Sequence, residues 1–133
     1  AAIAVTEFSQ EFEVTAIMAP VVSAPDQPSR NVNDVVSIFS STYTDLAGTD
    51  YYPNWGQTTS YAEFDLNGDK MIQYANLNYQ GVQFSAAQNV SNMQYLHMDV
   101  WTADLEALEI FPISVGSGEK SVTKTLTKDP SRS

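Results

Sequence analysis

The chain has 133 residues, which is enough for one domain with a single hydrophobic core and too few for two. Six Lys and Arg residues against sixteen Asp and Glu residues give a formal net charge of −10, which repels phosphate backbones and anionic membrane surfaces. The chain has no cysteine, so disulfides, thiolate metal sites and cysteine nucleophiles are excluded. We therefore expect a globular protein that does not bind nucleic acid.

Membrane insertion is not predicted, because no stretch approaches the roughly 20 apolar residues that a spanning helix needs. The first residues also lack the basic segment that begins a signal peptide. We interpret the chain as a mature product or an excised piece, with no membrane span.

Two segments precede the main body of the chain. Residues 7–17 alternate polar and apolar side chains over most of their length, which predicts a half-buried strand. Residues 19–29 contain Pro20, Pro25 and Pro28 among small residues, a composition typical of a semi-rigid linker. This pattern divides the chain into an N-terminal strand segment (1–18), a linker (19–29) and a domain (30–133).

The next segment is ambiguous and then irregular. Asn31 can cap a short helical turn over Val35, Val36 and Ile38, but β-branched residues in that run favour a strand equally well. Residues 41–59 are rich in Tyr, Thr, Gly, Asn and Asp without clear periodicity, and they predict a long ordered loop of the kind that carries function.

The clearest local signal is a hairpin. Residues 60–65 and 70–75 are β-prone, and Asn67-Gly68 between them provides the positive φ angles of a type I′ turn. The alternative for the same residues is a calcium loop, because Asp65, Asn67 and Asp69 place oxygen ligands on alternate positions around Gly68. The twelfth position of such a loop should be acidic and is Asn76.

Further strands are predicted over residues 81–84, 93–102, 108–115 and 120–127. In the 93–102 run, Leu96, Met98 and Val100 alternate with Tyr95, His97, Asp99 and Trp101, so we expect one core face and one aromatic and polar face. About seven short strands with turn residues between them indicate an all-β protein, a sandwich or a barrel.

Four motifs resemble one type of module. They are YANLNYQGVQF at 74–84, NVSNMQYLHMDVWT at 89–102, DVVSIFS at 34–40 and NWGQ at 54–57. They resemble the jelly-roll carbohydrate-binding-like modules of secreted bacterial polysaccharide-degrading proteins, over roughly residues 28–127. The resemblance implies an all-β, two-sheet antiparallel β-sandwich of galactose-binding-like type, secreted or at the cell surface, and appended to a glycoside hydrolase or polysaccharide lyase.

The resemblance also implies a missing strand, since such modules continue beyond the strand at 120–127 and this chain stops at Ser133. Three explanations stay open at this point. The chain is a shortened piece, residues 7–17 fill the vacancy, or a neighbouring subunit donates a strand to an unpaired sheet edge.

The candidate binding residues combine rings that stack on sugars with polar groups that bind hydroxyls. They are Tyr52, Trp55, Asn78, Tyr79, Gln80, His97, Asp99 and Trp101. Trp55 is the strongest candidate, because Pro53 and Gly56 place it in a loop. Trp101 and Tyr79 are equally consistent with packing inside the sandwich.

No nucleophile and base pair can be identified from spacing, and His97 is the single histidine. We therefore predict no catalytic residue, no enzyme activity and no cofactor beyond a structural Ca²⁺ ion. The expected function is polysaccharide binding by aromatic stacking and hydrogen bonding. The alternative is an extracellular structural or filament subunit that self-associates through a sheet edge by strand donation.

Overall fold

The computed structural model describes residues 19–114, 116–120 and 122–125. Its strands are β1 (Ser60–Leu66), β2 (Asp69–Ala75), β3 (Ala107–Ile110), β4 (Ile113–Ser114), β5 (Gly118–Glu119) and β6 (Val122–Thr125). They form three antiparallel pairs, β1 with β2, β3 with β6 and β4 with β5. The helical content of the described residues is one 3₁₀ turn (Val32–Asp34), so the all-β prediction is confirmed.

The hairpin of β1 and β2 confirms the prediction made from Asn67 and Gly68. These two residues form the whole connection, since Leu66 pairs with Asp69, and their φ angles are 57° and 89°. Positive φ at both central positions defines a type I′ turn, whose twist matches that of the two strands. The Asp65 Oδ1 atom accepts a hydrogen bond from the Gly68 N–H at 2.8 Å and closes the turn.

One face of the hairpin carries two paired tyrosines. Tyr61, Glu63 and Asp65 share one face with their partners Tyr74, Ile72 and Lys70. On this face the rings of Tyr61 and Tyr74 lie 5.9 Å apart, and Tyr61 also stacks on Tyr52 at 5.4 Å. The long loop before β1 is therefore packed against the tyrosine end of the hairpin.

A 3₁₀ turn does follow Asn31, but it spans Val32–Asp34, so the helical turn predicted over Val35, Val36 and Ile38 is wrong. The Asn31 Oδ1 atom accepts from the Asn33 N–H at 3.0 Å and caps the 3₁₀ turn. The chain is extended again at Val35, and Ser37 forms a parallel bridge with Asp45. Residues 41–59 form an irregular loop held by such bridges, as predicted.

The prediction of strands over 81–84 and 93–102 is wrong in this structure. Gln83 makes an isolated antiparallel bridge with Asp50, and residues 93–102 belong to no strand. Residues 91–100 are all exposed. Alternation of side chains makes a segment suitable for a sheet, but it cannot supply the partner strand that a ladder requires.

Parts of the last two predicted strands are present among the described residues. The run 108–115 is divided into β3 and β4 around Pro112, which has no N–H group to donate to a ladder. The run 120–127 contains β6, which pairs with β3 in a register that places Ala107 opposite Thr125.

Packing among the described residues depends on hydrogen bonds more than on a hydrophobic core. No aliphatic or aromatic side chain in these residues is fully buried, whereas Thr59 is only 2% exposed. The proline-rich residues 19–29 are tied to later parts of the chain, because Tyr43 donates to the Pro28 carbonyl at 2.7 Å and Ser23 donates to the Leu66 carbonyl at 3.4 Å. The predicted N-terminal strand, 7–17, lies outside the described residues.

Candidate functional site

Five of the eight predicted binding residues are brought together by the structure. The connection between them is the antiparallel bridge of Asp50 with Gln83, whose two backbone hydrogen bonds both measure 2.8 Å. This bridge places the loop before β1 beside the chain that follows β2. We call the resulting group the Trp55 surface; it consists of Tyr52, Trp55, Asn78, Tyr79 and Gln80.

Trp55 has 44% of its area exposed. Its six-membered ring rests on the backbone of Gly81, a buried residue. The Trp55 carbonyl accepts a hydrogen bond from the Tyr79 hydroxyl at 2.7 Å. The indole therefore contacts Gly81 while Trp55 stays partly exposed, and an exposed ring is what a stacking platform for a sugar requires.

Thr59 holds the two halves of the Trp55 surface together. Its hydroxyl donates to the Tyr79 carbonyl at 2.7 Å, and its own carbonyl accepts from the Tyr52 hydroxyl at 2.6 Å. The Asn78 Oδ1 atom accepts from the N–H groups of Thr58 at 2.9 Å and Thr59 at 3.3 Å. Nearly complete burial of Thr59 makes these bonds costly to lose.

Two glutamines fix the loop around Trp55. The Gln57 side chain accepts from the backbone N–H of Trp55 at 2.8 Å and donates to the Pro53 carbonyl at 2.7 Å. Gln80 donates to the Gly81 carbonyl at 2.8 Å and accepts from Gln57 at 3.4 Å. The amides predicted to bind sugar hydroxyls therefore bond largely to the loop itself and maintain its shape. The Asn78 side-chain N–H₂ group has no partner among the described residues.

The other three predicted residues lie on a different part of the chain. His97 Nε2 is 3.1 Å from Asp99 Oδ2, and both side chains are partly exposed. Trp101 is half-buried. Within the described residues, no hydrogen bond, ion pair or ring contact joins these three to the Trp55 surface.

The residues of the Trp55 surface lie in stretches of the chain that carry no acidic or basic side chain. Residues 51–62 and 71–98 contain no Asp, Glu, Lys or Arg, although the whole chain carries −10. The same stretches carry eleven Asn and Gln side chains. The sequence interpretation used the individual amides but missed these uncharged stretches, and it also missed Gln57, Thr59 and Gly81.

A second feature lies beside the charged end of the hairpin. It is an open cleft of about 460 Å³, lined by residues that include Phe39, Asp45, Tyr51, Glu63 and Lys70. Burial, and then the nearby carboxylates of Asp45 and Glu63, raise the pKa of Tyr51. The cleft differs from the Trp55 surface in its lining, which mixes carboxylates with Lys70.

Burial raises the pKa values of Tyr61 and Tyr74, on the hairpin face where Tyr61 stacks on Tyr52. Burial raises the pKa of Tyr74 to about 12, and the neighbouring Tyr51, Asp50 and Glu63 add to the effect. Burial and a hydrogen bond to Glu63 raise the pKa of Tyr61. A neutral Tyr74 hydroxyl donates to the Tyr51 carbonyl at 2.7 Å and so supports the loop.

Two of the three residues predicted to bind calcium have hydrogen-bond partners within the chain. Asp65 accepts from Gly68, and the Asn67 side chain donates to the Val21 carbonyl at 3.5 Å. The described part of the chain contains no group of three or more His, Cys, Asp or Glu side chains placed to hold a metal. The same part contains no helix that is long and apolar enough to cross a bilayer.

Comparison with known proteins finds no matching family model, no matching curated protein and no matching solved structure.

Proposed function

We propose that this chain is a non-catalytic carbohydrate-binding module that binds neutral polysaccharide through the Trp55 surface. The observation that supports it best is the position of Trp55, whose ring is fixed on the Gly81 backbone and leaves 44% of its area exposed. Flat rings of this kind stack on the apolar faces of pyranoses. Tyr52 and Tyr79, which are 41% and 46% exposed, extend the platform on an adjoining part of the surface.

The absence of formal charge over residues 51–62 and 71–98 supports a neutral ligand. The remainder of the chain carries the acidic excess, which opposes the approach of a polyanion within a Debye length of about 8 Å at physiological salt. Amide groups bind sugar hydroxyls without a charge of their own. A cellulose derivative that bears carboxylates should therefore bind much more weakly than a neutral derivative of the same backbone.

The fold that we propose for this module is the two-sheet sandwich implied by its motifs. The three strand pairs would belong to its layers, with residues 93–102 as a further strand once a partner is present. Secretion and attachment to a glycoside hydrolase or polysaccharide lyase belong to the same proposal. Attachment would raise the effective concentration of substrate at the catalytic domain.

Affinity electrophoresis through gels that contain a panel of neutral and anionic polysaccharides tests this proposal. The native chain should be retarded by at least one neutral polysaccharide, Trp55→Phe less so, and Trp55→Ala least. Phe111→Ala is the matched control, because Phe111 is exposed to the same degree (46%) but lies between β3 and β4. A circular-dichroism melt confirms that each variant is folded. Equal retardation of native and folded Trp55→Ala chains, or none in any gel, would contradict the proposal.

A further inference from the structure

The segment 94–102 is the most conspicuous unsatisfied part of the described chain. Tyr95 is 84% exposed, Leu96 58% and Met98 53%. Among the described residues, no backbone N–H or C=O group of this segment makes a backbone–backbone hydrogen bond. Backbone groups and apolar side chains that are open together form a template for strand pairing.

The order of side chains in this segment is symmetric in character about Met98. The imidazole of His97 and the carboxylate of Asp99 flank it directly. The aliphatic pair Leu96 and Val100 follows on either side. The aromatic pair Tyr95 and Trp101 comes next, and the polar pair Gln94 and Thr102 ends the pattern. A sequence of this kind is self-complementary when two copies run antiparallel, because a two-fold axis at Met98 brings each residue opposite its counterpart.

We infer that residues 94–102 pair antiparallel with the same segment of a second copy of this chain. In the register centred on Met98, His97 lies opposite Asp99 of the partner subunit, and this pair occurs twice. Leu96 lies opposite Val100 of the partner subunit, and Tyr95 lies opposite Trp101 of the partner subunit. Directly opposed pairs of these types are those that stabilise antiparallel sheets.

The low charge of this part of the chain permits a second copy as the occupant. Two chains of −10 repel each other, and the repulsion is smallest where they meet along residues that carry little charge. Residues 71–98 have no Asp, Glu, Lys or Arg, and Asp99 has His97 as its opposed partner. Association through this segment should accordingly become stronger as added salt screens the remaining charge.

The interface is distinct from the Trp55 surface, so this inference does not depend on the proposed function. It uses His97, Asp99 and Trp101, the three predicted binding residues that the structure separates from Trp55. A single added strand pair is small for an interface, and we expect a weak, concentration-dependent dimer.

Sedimentation of the full chain over a concentration series gives the first test. The mass should rise from 14.6 kDa toward twice that value, and Leu96→Lys should weaken dimerisation at least tenfold. Leu77→Lys is the matched control. Leu77 is also exposed and also has uncharged neighbours in the chain, but it lies outside the segment. A monomer up to the highest soluble concentration, or equal effects of the two variants, would overturn the inference.

The second test exchanges the opposed pair. His97→Asp alone and Asp99→His alone each place like groups opposite one another and should weaken the dimer, whereas the double exchange restores opposed unlike groups and the native association. If the double variant is no stronger than the singles, the register is wrong. Hydrogen exchange completes the test: amides 94–102 should gain protection as concentration rises, and protection in a monomer would assign the segment to residues 7–17 of the same chain instead.

Discussion

The Trp55 indole lies so close to Gly81 that a side-chain carbon at position 81 would come within 2.3 Å of the ring atom Cζ3. Gly81→Ala should therefore displace the ring, lower the free energy of unfolding by about 1–3 kcal/mol, as overpacking does, and abolish retardation by a neutral polysaccharide. Chemical denaturation and affinity electrophoresis measure the two effects.

The control for this prediction is a double-mutant cycle. In a Trp55→Ala background the ring is absent, so adding Gly81→Ala should cost much less than it does in the native chain. Equal costs in both backgrounds would show that Gly81 is required for another reason.

Thr59 provides the second prediction. Thr59→Val keeps the volume of the side chain but removes the hydroxyl that donates to Tyr79, and it should lower the free energy of unfolding by about 1–3 kcal/mol. Thr58→Val is the matched control, since Thr58 is exposed and its hydroxyl has no partner among the described residues. Urea denaturation measures both; a loss in Thr58→Val equal to that in Thr59→Val would contradict the assigned role.

The turn between β1 and β2 provides the third prediction. Gly68 has a φ of 89°, where a side chain is strained, so Gly68→Ala should lower the free energy of unfolding by about 1–2 kcal/mol. Asn67→Gly changes the same turn without that strain and should be nearly neutral. Thermal melts compare them, and a neutral Gly68→Ala would mean that the turn is not type I′ in solution.

Alkaline pH provides the fourth prediction. The pKa of Tyr74 is raised from 10.0 to about 12 in the folded chain, so the unfolded chain loses this proton first as pH rises. The resulting stabilisation is complete below pH 10 and is lost between pH 10 and about 12. The free energy of unfolding should fall across that interval, and less steeply in Tyr74→Phe. An identical slope in both chains would assign the loss to other groups.

Calcium provides the fifth prediction. Asp65 is occupied by the Gly68 N–H in the hairpin turn, and a structural ion at Asp65, Asn67 and Asp69 would have to compete with that bond. We expect the melting temperature to be the same with Ca²⁺ and with chelator. A rise with Ca²⁺ that Asp69→Asn removes would establish the metal site instead.

The parts of the fold that could be predicted from sequence are those determined over a few residues. Asn67-Gly68 specifies its turn, and Asn31 caps its own 3₁₀ turn, because the groups that interact are neighbours in the chain. The prediction of a strand over 93–102 is wrong because a strand depends on residues that are distant in the chain. Its alternation is clear, but no partner strand lies beside it among the described residues.

The Trp55 surface shows the same division. Trp55, Tyr52 and Tyr79 were found by residue type, but Thr59 was missed because an isolated threonine carries no local signal of burial. Gly81 did carry one: a glycine inside a β-prone run often marks a close approach to the backbone. Residue chemistry alone groups His97, Asp99 and Trp101 with Trp55, whereas no contact among the described residues joins them to it.

The chain has only two indoles, and they belong to the two different surfaces. Trp55 stands on its glycine support, and Trp101 stands at the end of the segment that we expect to pair. Ultraviolet emission from a Trp101→Phe chain would report sugar occupancy alone, and emission from a Trp55→Phe chain would report subunit contact alone. The molecule thus contains its own pair of optical probes, one for each event, without any attached dye.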